Sequence, residues 1–424
     1  MLTTRPRGTS DILPGEVEKW QYVEECFRRL CREYGYAEIR TPIFEHSELF
    51  NRGVGDATDI VEKEMYTFRD RSDRSLSLRP EGTAAAARAY LENNLNAGPQ
   101  PVKLFYTGPM FRYDRPQAGR YRQFHQVGVE VFGSPRPSVD AEVIAMAMDF
   151  CGRLGLKLEL HLNSVGCPDC RPVLREKLTA YFRAHQNDLC ADCLRRLASN
   201  PLRALDCKVP RCRELAKNAP TSLDCLCESC AAHFQDVQKY LKALGIDYVV
   251  DRYLVRGLDY YTKTAFEMMA PGIGAQSSVG GGGRYDNLVE TIGGPPTPGI
   301  GYAIGLERLL LAMQEQGSEL PGRDRPDVFL ASVDDTLESE ALQLLQTLRQ
   351  KGLAADKDYL GRSLKAQMKY AGKTGAPAVV ILGKEELARG MVILRDMTTG
   401  AQKEVPAAGL AEEIGKLRRK GSTS

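Results

Sequence analysis

Long apolar runs are missing from this sequence. No stretch approaches the roughly 18 apolar residues of a membrane span, and the N-terminal MLTTRPRGTSDILPGEVEKW holds no apolar run fit for a signal peptide. Both absences predict a soluble, cytoplasmic protein with no membrane partner. A strong charge is missing too: 57 Lys and Arg stand against 55 Asp and Glu, a net +2. Any nucleic-acid binding must therefore rest on local patches. There is no internal repeat and no low-complexity tract. Familiar nucleotide loops are absent as well. GGGGRYD, 280–286, lacks the spacing of a dinucleotide fingerprint and reads on its own as a tight turn. GKT, 372–374, lacks the earlier glycine of a phosphate loop, whose place is taken by Gln367.

What remains is 43% apolar and 26% charged over 424 residues, enough for a packed core and about three domains. Helical spacing runs from about Pro14 to Tyr34 and again over 82–94 and 140–154. YAEIRTPIFE reads as extended, because Pro42 forces Thr41 out of the helical region. Residues 101–133 read as two strands joined by a basic loop: Arg112, Arg115, Arg120 and Arg122 against the single acid Asp114. LKLELHLNSVG is a further strand, and strand character returns in YVVDRYLVRGLDYYTKTAFEMM. The linker GSELPGRDRP, 317–326, marks a boundary. Beyond it strands alternate with helices, which predicts a separate α/β domain over 326–424.

Between these parts lies an island. Nine of the twelve cysteines fall between Cys167 and Cys230, and 169–213 carries ten Lys and Arg against five Asp and Glu. Stretches such as RPVLREKLTAYFRAH predict a helical insertion over 167–235, which splits a domain formed by 1–166 and 236–320. In a reducing cytosol the cluster suggests thiols or metal, not disulfides. Cys167-x-x-Cys170, Cys190-x-x-Cys193 and Cys227-x-x-Cys230 have zinc-knuckle spacing, with Cys207, Cys212 and Cys225 between them. That spacing favours one structural zinc over a group of reduced, buried thiols. It does not say which pairs meet.

Polar residues recur at strand ends and in glycine gaps. HQVGVEVF has a period of two, so Val127, Val129 and Val131 share one face while Gln126, Gly128 and Glu130 share the other. The glycine leaves room for a ligand against the sheet, although a solvated face explains the pattern equally well. Arg112, Arg256 and Arg308 each stand beside a glycine-rich strand end. Singly they read as structural; together they fit a polyphosphate, which guanidinium groups grip bidentately.

YGYAEIRTPIFE, FRYDRPQAGRYRQFHQVGVEVFG and PGIGYAIGLERLLLAM resemble motifs 1, 2 and 3 of the class II aminoacyl-tRNA synthetases. LVRGLDYYTKTAFE and GGGRYD are similar to the two peptides peculiar to the histidyl-tRNA synthetase family. RGTSDILP at the start and the C-terminal domain fit too, so the resemblance spans essentially the whole chain. It implies an α+β catalytic domain with an antiparallel sheet flanked by helices, a helical insertion, a C-terminal α/β anticodon-binding domain, and a homodimer. It also implies a two-step reaction: histidine and ATP form histidyl-adenylate and pyrophosphate, then histidine passes to the 3′ end of tRNA(His).

By the same resemblance Arg256 and Arg112 are catalytic and hold the α-phosphate of ATP, and Arg308 takes the outer phosphates. Mg²⁺ is expected on those phosphates without a protein cage of its own. Glu81, Gly82, Thr83 and Gln126 surround the α-amino group of histidine. Glu130 and Tyr261 meet the imidazole, which has one donor and one acceptor nitrogen, with Tyr260 and Tyr285 in the same pocket. Arg115 and Gln117 approach the acceptor end of the tRNA. Arg362, Lys365 and Lys369, with Lys373, form a basic helical stripe on the anticodon side. The alternatives are the synthetase-like regulatory subunit of ATP phosphoribosyltransferase and a zinc-bearing RNA-binding protein that has lost catalysis. The presence of the C-terminal domain, both family peptides, Arg112, Arg256 and Glu130 argues against them.

Overall fold

The computed structural model describes residues 2–421 apart from 56–57, 200, 206, 208, 255–256 and 272–276. The first helix, Val17–Glu33, follows its apolar spacing: Val23, Phe27 and Leu30 are buried on one side. The strands of the first unit are β1 (Ala37–Glu38), β2 (Phe44–His46), β3 (Thr67–Arg69), β4 (Ser75–Leu78), β5 (Val102–Phe111), β6 (Gln123–Phe132), β7 (Glu159–Ser164), β8 (Val249–Val250), β9 (Thr262–Met269), β10 (Ser278–Arg284) and β11 (Gly299–Gly305). Eight of them form one sheet in the order β1-β5-β6-β11-β10-β9-β7-β8. The pairs between β5 and β7 are antiparallel, and the short strands β1 and β8 add parallel edges. β2, β4 and β3 make a separate three-stranded sheet.

The extended reading of YAEIRTPIFE is half right. β1 ends at Glu38 and the chain leaves the large sheet before β2. Pro42 offers no N–H to a ladder, and Arg79 holds the crossing, donating to the Thr41 carbonyl at 3.0 Å and the Pro109 carbonyl at 2.9 Å. The long strand character before β9 is likewise interrupted: the ladder resumes only at Thr262. GGGG is no turn but the body of β10, paired on both sides.

One face of the large sheet is covered by Val17–Glu33 and the helices Pro137–Arg153, Glu228–Ala243 and Leu306–Glu315, which supply Phe27, Phe150, Val237 and Leu309 to its core. The other face carries the cleft. The cysteine-rich stretch is helical, as Cys170–Ala184, Ala191–Ser199 and Pro210–Ala216, and it has a small core of its own around Leu174, Leu178 and Phe182. Its last helix, Glu228–Ala243, continues past residue 235 and plants Phe234, Val237 and Leu241 in the main core.

The chain divides into two compact units, Met1–Pro321 and Gly322–Ser424. The second unit has strands β12 (Val328–Ser332), β13 (Ala355–Lys357), β14 (Ala378–Leu382), β15 (Met391–Asp396) and β16 (Gln402–Pro406), ordered β13-β12-β14-β15-β16. Its helices are Glu338–Gln350, Leu364–Thr374, Lys384–Ala388 and Leu410–Gly421. No helix among the described residues is long and apolar enough to cross a membrane.

Candidate active site

The alternation of β6 is real. Val127, Val129 and Val131 are buried in the helix-covered core, and Gln126, Gly128 and Glu130 lie on the opposite face. The space at Gly128, however, is not left for a ligand. Tyr106 on β5 stands opposite it in register, and a Cβ on Gly128 would meet that ring at 2.5 Å. A Cβ on Gly82 would meet the same ring at 2.3 Å. The ring therefore fills the slot between two glycines. The same device repeats across the sheet. A Cβ on Gly301 would strike the Glu130 carboxylate at 2.0 Å, one on Gly299 the Tyr285 ring at 2.3 Å, and one on Gly283 the Tyr261 ring at 2.8 Å. Glycines in these strands seat large polar and aromatic side chains beside the backbone.

Glu130 is fully buried. One carboxylate oxygen accepts from the Thr83 hydroxyl at 2.7 Å and the Tyr106 hydroxyl at 3.1 Å, and the other accepts from the Tyr285 hydroxyl. Burial pushes its pKa from the ordinary 4.5 up to about 8, although the hydroxyls hold it down and Glu81 adds to the rise. Among the described residues no cation pairs with it. Glu81, also buried, accepts from the backbone N–H groups of Thr83 at 2.7 Å and Ala84 at 2.8 Å. It thereby caps the helix Thr83–Glu92. Its pKa is raised by burial against those bonds. The amide oxygen of Gln126 is buried with no hydrogen-bond partner, an open acceptor that a donor from a ligand would satisfy.

These groups border a cleft of about 420 Å³ whose lining includes Glu81, Thr83, Gln126, Tyr260, Tyr261 and Tyr285. Glu130 lies one layer beneath, bonded to the lining residues Thr83 and Tyr285. Tyr260 links the two other tyrosines, its ring centroid 4.8 Å from that of Tyr261 and 5.6 Å from that of Tyr285.

The mouth of the cleft is basic. Arg112 donates to the Pro80 carbonyl at 2.8 Å and stacks its cation over Phe124 at 5.4 Å. Arg308, from the helix after β11, donates to Gly119 at 3.2 Å and Ser278 at 2.9 Å. Burial lowers both guanidinium pKa values, and the nearby Glu64 partly offsets this at Arg112. Neither shift removes the charge. Arg120 pairs with Asp114 at 3.0 Å, and Arg122 lies over Tyr113 at 3.8 Å. The loop is hooked to the N-terminal segment, where the Arg122 N–H donates to the Gly8 carbonyl at 2.7 Å. Glu307 anchors the start of β6 by accepting from the His125 N–H at 2.9 Å.

The structure thus gathers Arg112, Arg308, Glu81, Gly82, Thr83, Gln126, Tyr260, Tyr261 and Tyr285 around one cleft, with Glu130 beneath it. Arg256 lies outside the described residues. Arg115 and Gln117 are exposed on the loop. Tyr106 and the cleft acids Glu64, Glu267 and Glu307 escaped the sequence reading. A signal for Tyr106 existed, since its strand partner is the glycine of a polar face. In the second unit Lys365, Lys369 and Lys373 are exposed on one helix. Arg362 precedes that helix, is ion-paired to Asp358 at 2.7 Å and rests over Tyr370, so its charge is already partnered while the three lysines stand exposed.

The cysteines settle into two groups of four, Cys167, Cys170, Cys227 and Cys230, and Cys190, Cys193, Cys207 and Cys212. The 190/193 pair therefore meets Cys207 and Cys212, not another CxxC pair. Cys225 belongs to neither group.

An antiparallel sheet bearing an arginine-mouthed cleft, followed by a separate five-stranded unit, is the architecture of a class II aminoacyl-tRNA synthetase. Residues 8–309 match the family model described as histidyl-tRNA synthetase, and 327–417 match the anticodon binding domain. A histidine–tRNA ligase of Pelotomaculum thermopropionicum is 67% identical over 98% of both chains. One from Desulforamulus reducens is 65% identical over 96% of this chain and 97% of that one. The crystal structure of apo S. aureus histidyl-tRNA synthetase superposes with a TM-score of 0.83 at 43% identity, covering 97% of this chain and 100% of that one. The chain belongs to the histidyl-tRNA synthetase family.

Proposed function

We propose that the chain is a histidine–tRNA ligase, which joins histidine to ATP as the adenylate and then esterifies the 3′ end of tRNA(His). The observation that carries the reading is a fully buried carboxyl with no cation partner among the described residues, set under a tyrosine-lined cleft with two arginines at its mouth. A carboxyl poised at about 8 is driven toward its ionised form by an added donor, and an imidazole N–H is such a donor. Tyr261 supplies a hydroxyl for the other ring nitrogen. The open Gln126 oxygen, with Glu81 and Thr83, suits the α-ammonium. An amino acid without the donor–acceptor ring would leave buried polar groups unpaired, a penalty of about four orders of magnitude in selectivity.

Arg112 and Arg308 hold the phosphates in line, and with Arg256 they stabilise negative charge as the histidine carboxylate attacks the α-phosphate and pyrophosphate leaves. Among the described residues the cleft gathers no set of carboxylates able to hold a metal alone. Mg²⁺ would thus sit mainly on the ATP oxygens, with Glu64 and Glu267 within the cleft as oxygen donors, and would neutralise phosphate charge. Arg115, Gln117, Lys365 and Lys369, with Arg362, contact tRNA(His). The enzyme works as a homodimer, for which the exposed Ile43, Phe44 and Phe68 on and beside the small sheet offer an apolar surface.

Amino-acid-dependent ATP–pyrophosphate exchange tests this with all twenty amino acids on wild type and Arg112→Ala. Exchange with histidine alone, lost in the variant, is expected. Folded wild-type protein that exchanges with no amino acid would sink the proposal and favour the regulatory role.

A further inference from the structure

We propose that this chain carries two structural zinc ions, each bound by four thiolates, and that the first one braces the amino-acid pocket. In each group the four sulfurs all lie within 4.8 Å of one another. Sulfurs of Cys167 and Cys170 are 3.6 Å apart, Cys167 and Cys227 3.9 Å, and Cys190 and Cys207 3.9 Å. A tetrahedral site with Zn–S bonds of about 2.3 Å places its sulfurs about 3.8 Å apart. Disulfides need about 2.05 Å, and every cysteine is free. Soft thiolates select zinc over the hard cations.

The backbone around each group is arranged for sulfur carrying charge. The Cys227 N–H donates to the Cys170 sulfur at 3.2 Å, and the Cys190 N–H donates to the Cys212 sulfur at 3.2 Å. Such outer bonds tune and orient metal ligands. Gly166, at φ +73°, lets the chain wrap closely against Cys170, where a Cβ would come within 2.6 Å. The insertion also needs a staple, because its own core is small.

The two sites differ in what they hold. The second joins helices inside the insertion. The first ties the chain leaving β7 to the start of helix Glu228–Ala243, which is rooted in the main core. Arg171, next to Cys170, donates to the carbonyls of Tyr261 and of Asp259, the latter at 3.2 Å. Gly166 accepts from the Lys263 N–H at 2.7 Å, and Val165 donates to the Lys263 carbonyl at 2.7 Å. The first zinc thus fixes the backbone that presents Tyr260 and Tyr261. This second half rests on the histidine-pocket reading; the metal count does not.

The test is metal analysis of the full-length protein purified with zinc present, alongside Cys227→Ser and Cys190→Ser. Two zinc equivalents in wild type and one in each variant are expected. Cobalt in their place should give the thiolate charge-transfer and tetrahedral d–d bands at two equivalents, which decides the matter even if a variant fails to fold. Fewer than two equivalents, or iron in their place, overturns the proposal. Where wild type holds two zinc ions, KM for histidine should rise about tenfold in Cys227→Ser and stay unchanged in Cys190→Ser. Equal values in the two variants would remove the bracing role and leave the zinc sites standing. Two zinc ions in a protein without histidine-dependent exchange would sink the functional reading alone.

Discussion

Two buried carboxyls sit on either side of the same sheet and meet opposite fates. Asp140 and Glu130 are both fully buried. Asp140 is gripped by Arg284, itself fully buried, and accepts from the Thr264 hydroxyl at 2.6 Å and bonds the His233 ring at 2.9 Å. Burial pushes Asp140 up, but the Arg284 charge and these bonds outweigh it, so its pKa lies below the ordinary value. Glu130 has only hydroxyls, and its pKa rises to about 8. A carboxyl neutralised from within the protein is architecture. One left with hydroxyls alone retains an unmet demand for positive charge or a donor, and a ligand can meet it.

The contrast can be broken most forcefully at Arg284. Arg284→Met leaves Asp140 buried without its cation, and a loss of roughly 3–5 kcal/mol is expected in denaturant unfolding. A loss below about 1 kcal/mol would show that the pair does not hold the core. Next comes Glu130→Gln, which keeps the shape and removes the charge. It should lower kcat/KM for histidine in exchange by about 100-fold, roughly 2.7 kcal/mol, without a matching loss of stability. The sign of its pH dependence is fixed by the raised pKa. Between about 4.5 and about 8 the folded chain holds a proton on Glu130 that the unfolded chain has released, so wild-type stability falls as pH rises through that window. The variant lacks that fall and should gain on wild type as pH climbs, in unfolding measured across the range. The smallest effect tests the packing beneath the carboxyl. In Gly128→Ala the new methyl meets the Tyr106 ring, and about 1–3 kcal/mol of destabilisation is expected, with a rise in KM for histidine. An unchanged melting temperature and KM would show that Tyr106 can move aside freely.

The sequence was legible where a period or a punctuating residue carried the physics. The period of two in HQVGVEVF separated the apolar face from the polar one and left cleft and solvent open for the latter, and the alternation beyond residue 326 anticipated the second unit apart from the three-residue β13 and the short helix Lys384–Ala388. It misled where glycine was read one-dimensionally. Gly128 and GGGG looked like room for a ligand and a turn; Gly128 seats the Tyr106 ring from β5, and GGGG lets the neighbouring backbone close in, a Cβ on Gly282 meeting the Gly301 carbonyl at 2.0 Å and one on Gly283 the Thr264 carbonyl at 2.4 Å. Nothing in the short-range pattern assigns Arg284 a partner, and only the fold brings Asp140 to it across 144 positions. The cysteine partition was illegible for the same reason, since Cys207 and Cys212 lack CxxC spacing and still complete a cluster. Short-range pattern reports faces; it is silent on which distant residue occupies a gap.

Helix Glu228–Ala243 begins at the cysteine cluster and ends in the core, delivering His233 to Asp140 on the way. The insertion is therefore not a cassette. Trimming it at residue 235, or grafting in a relative's version, would sever a rivet between two sheet-covering helices and leave Asp140 one partner short. Any transplant of this segment has to carry the whole helix and its acceptor.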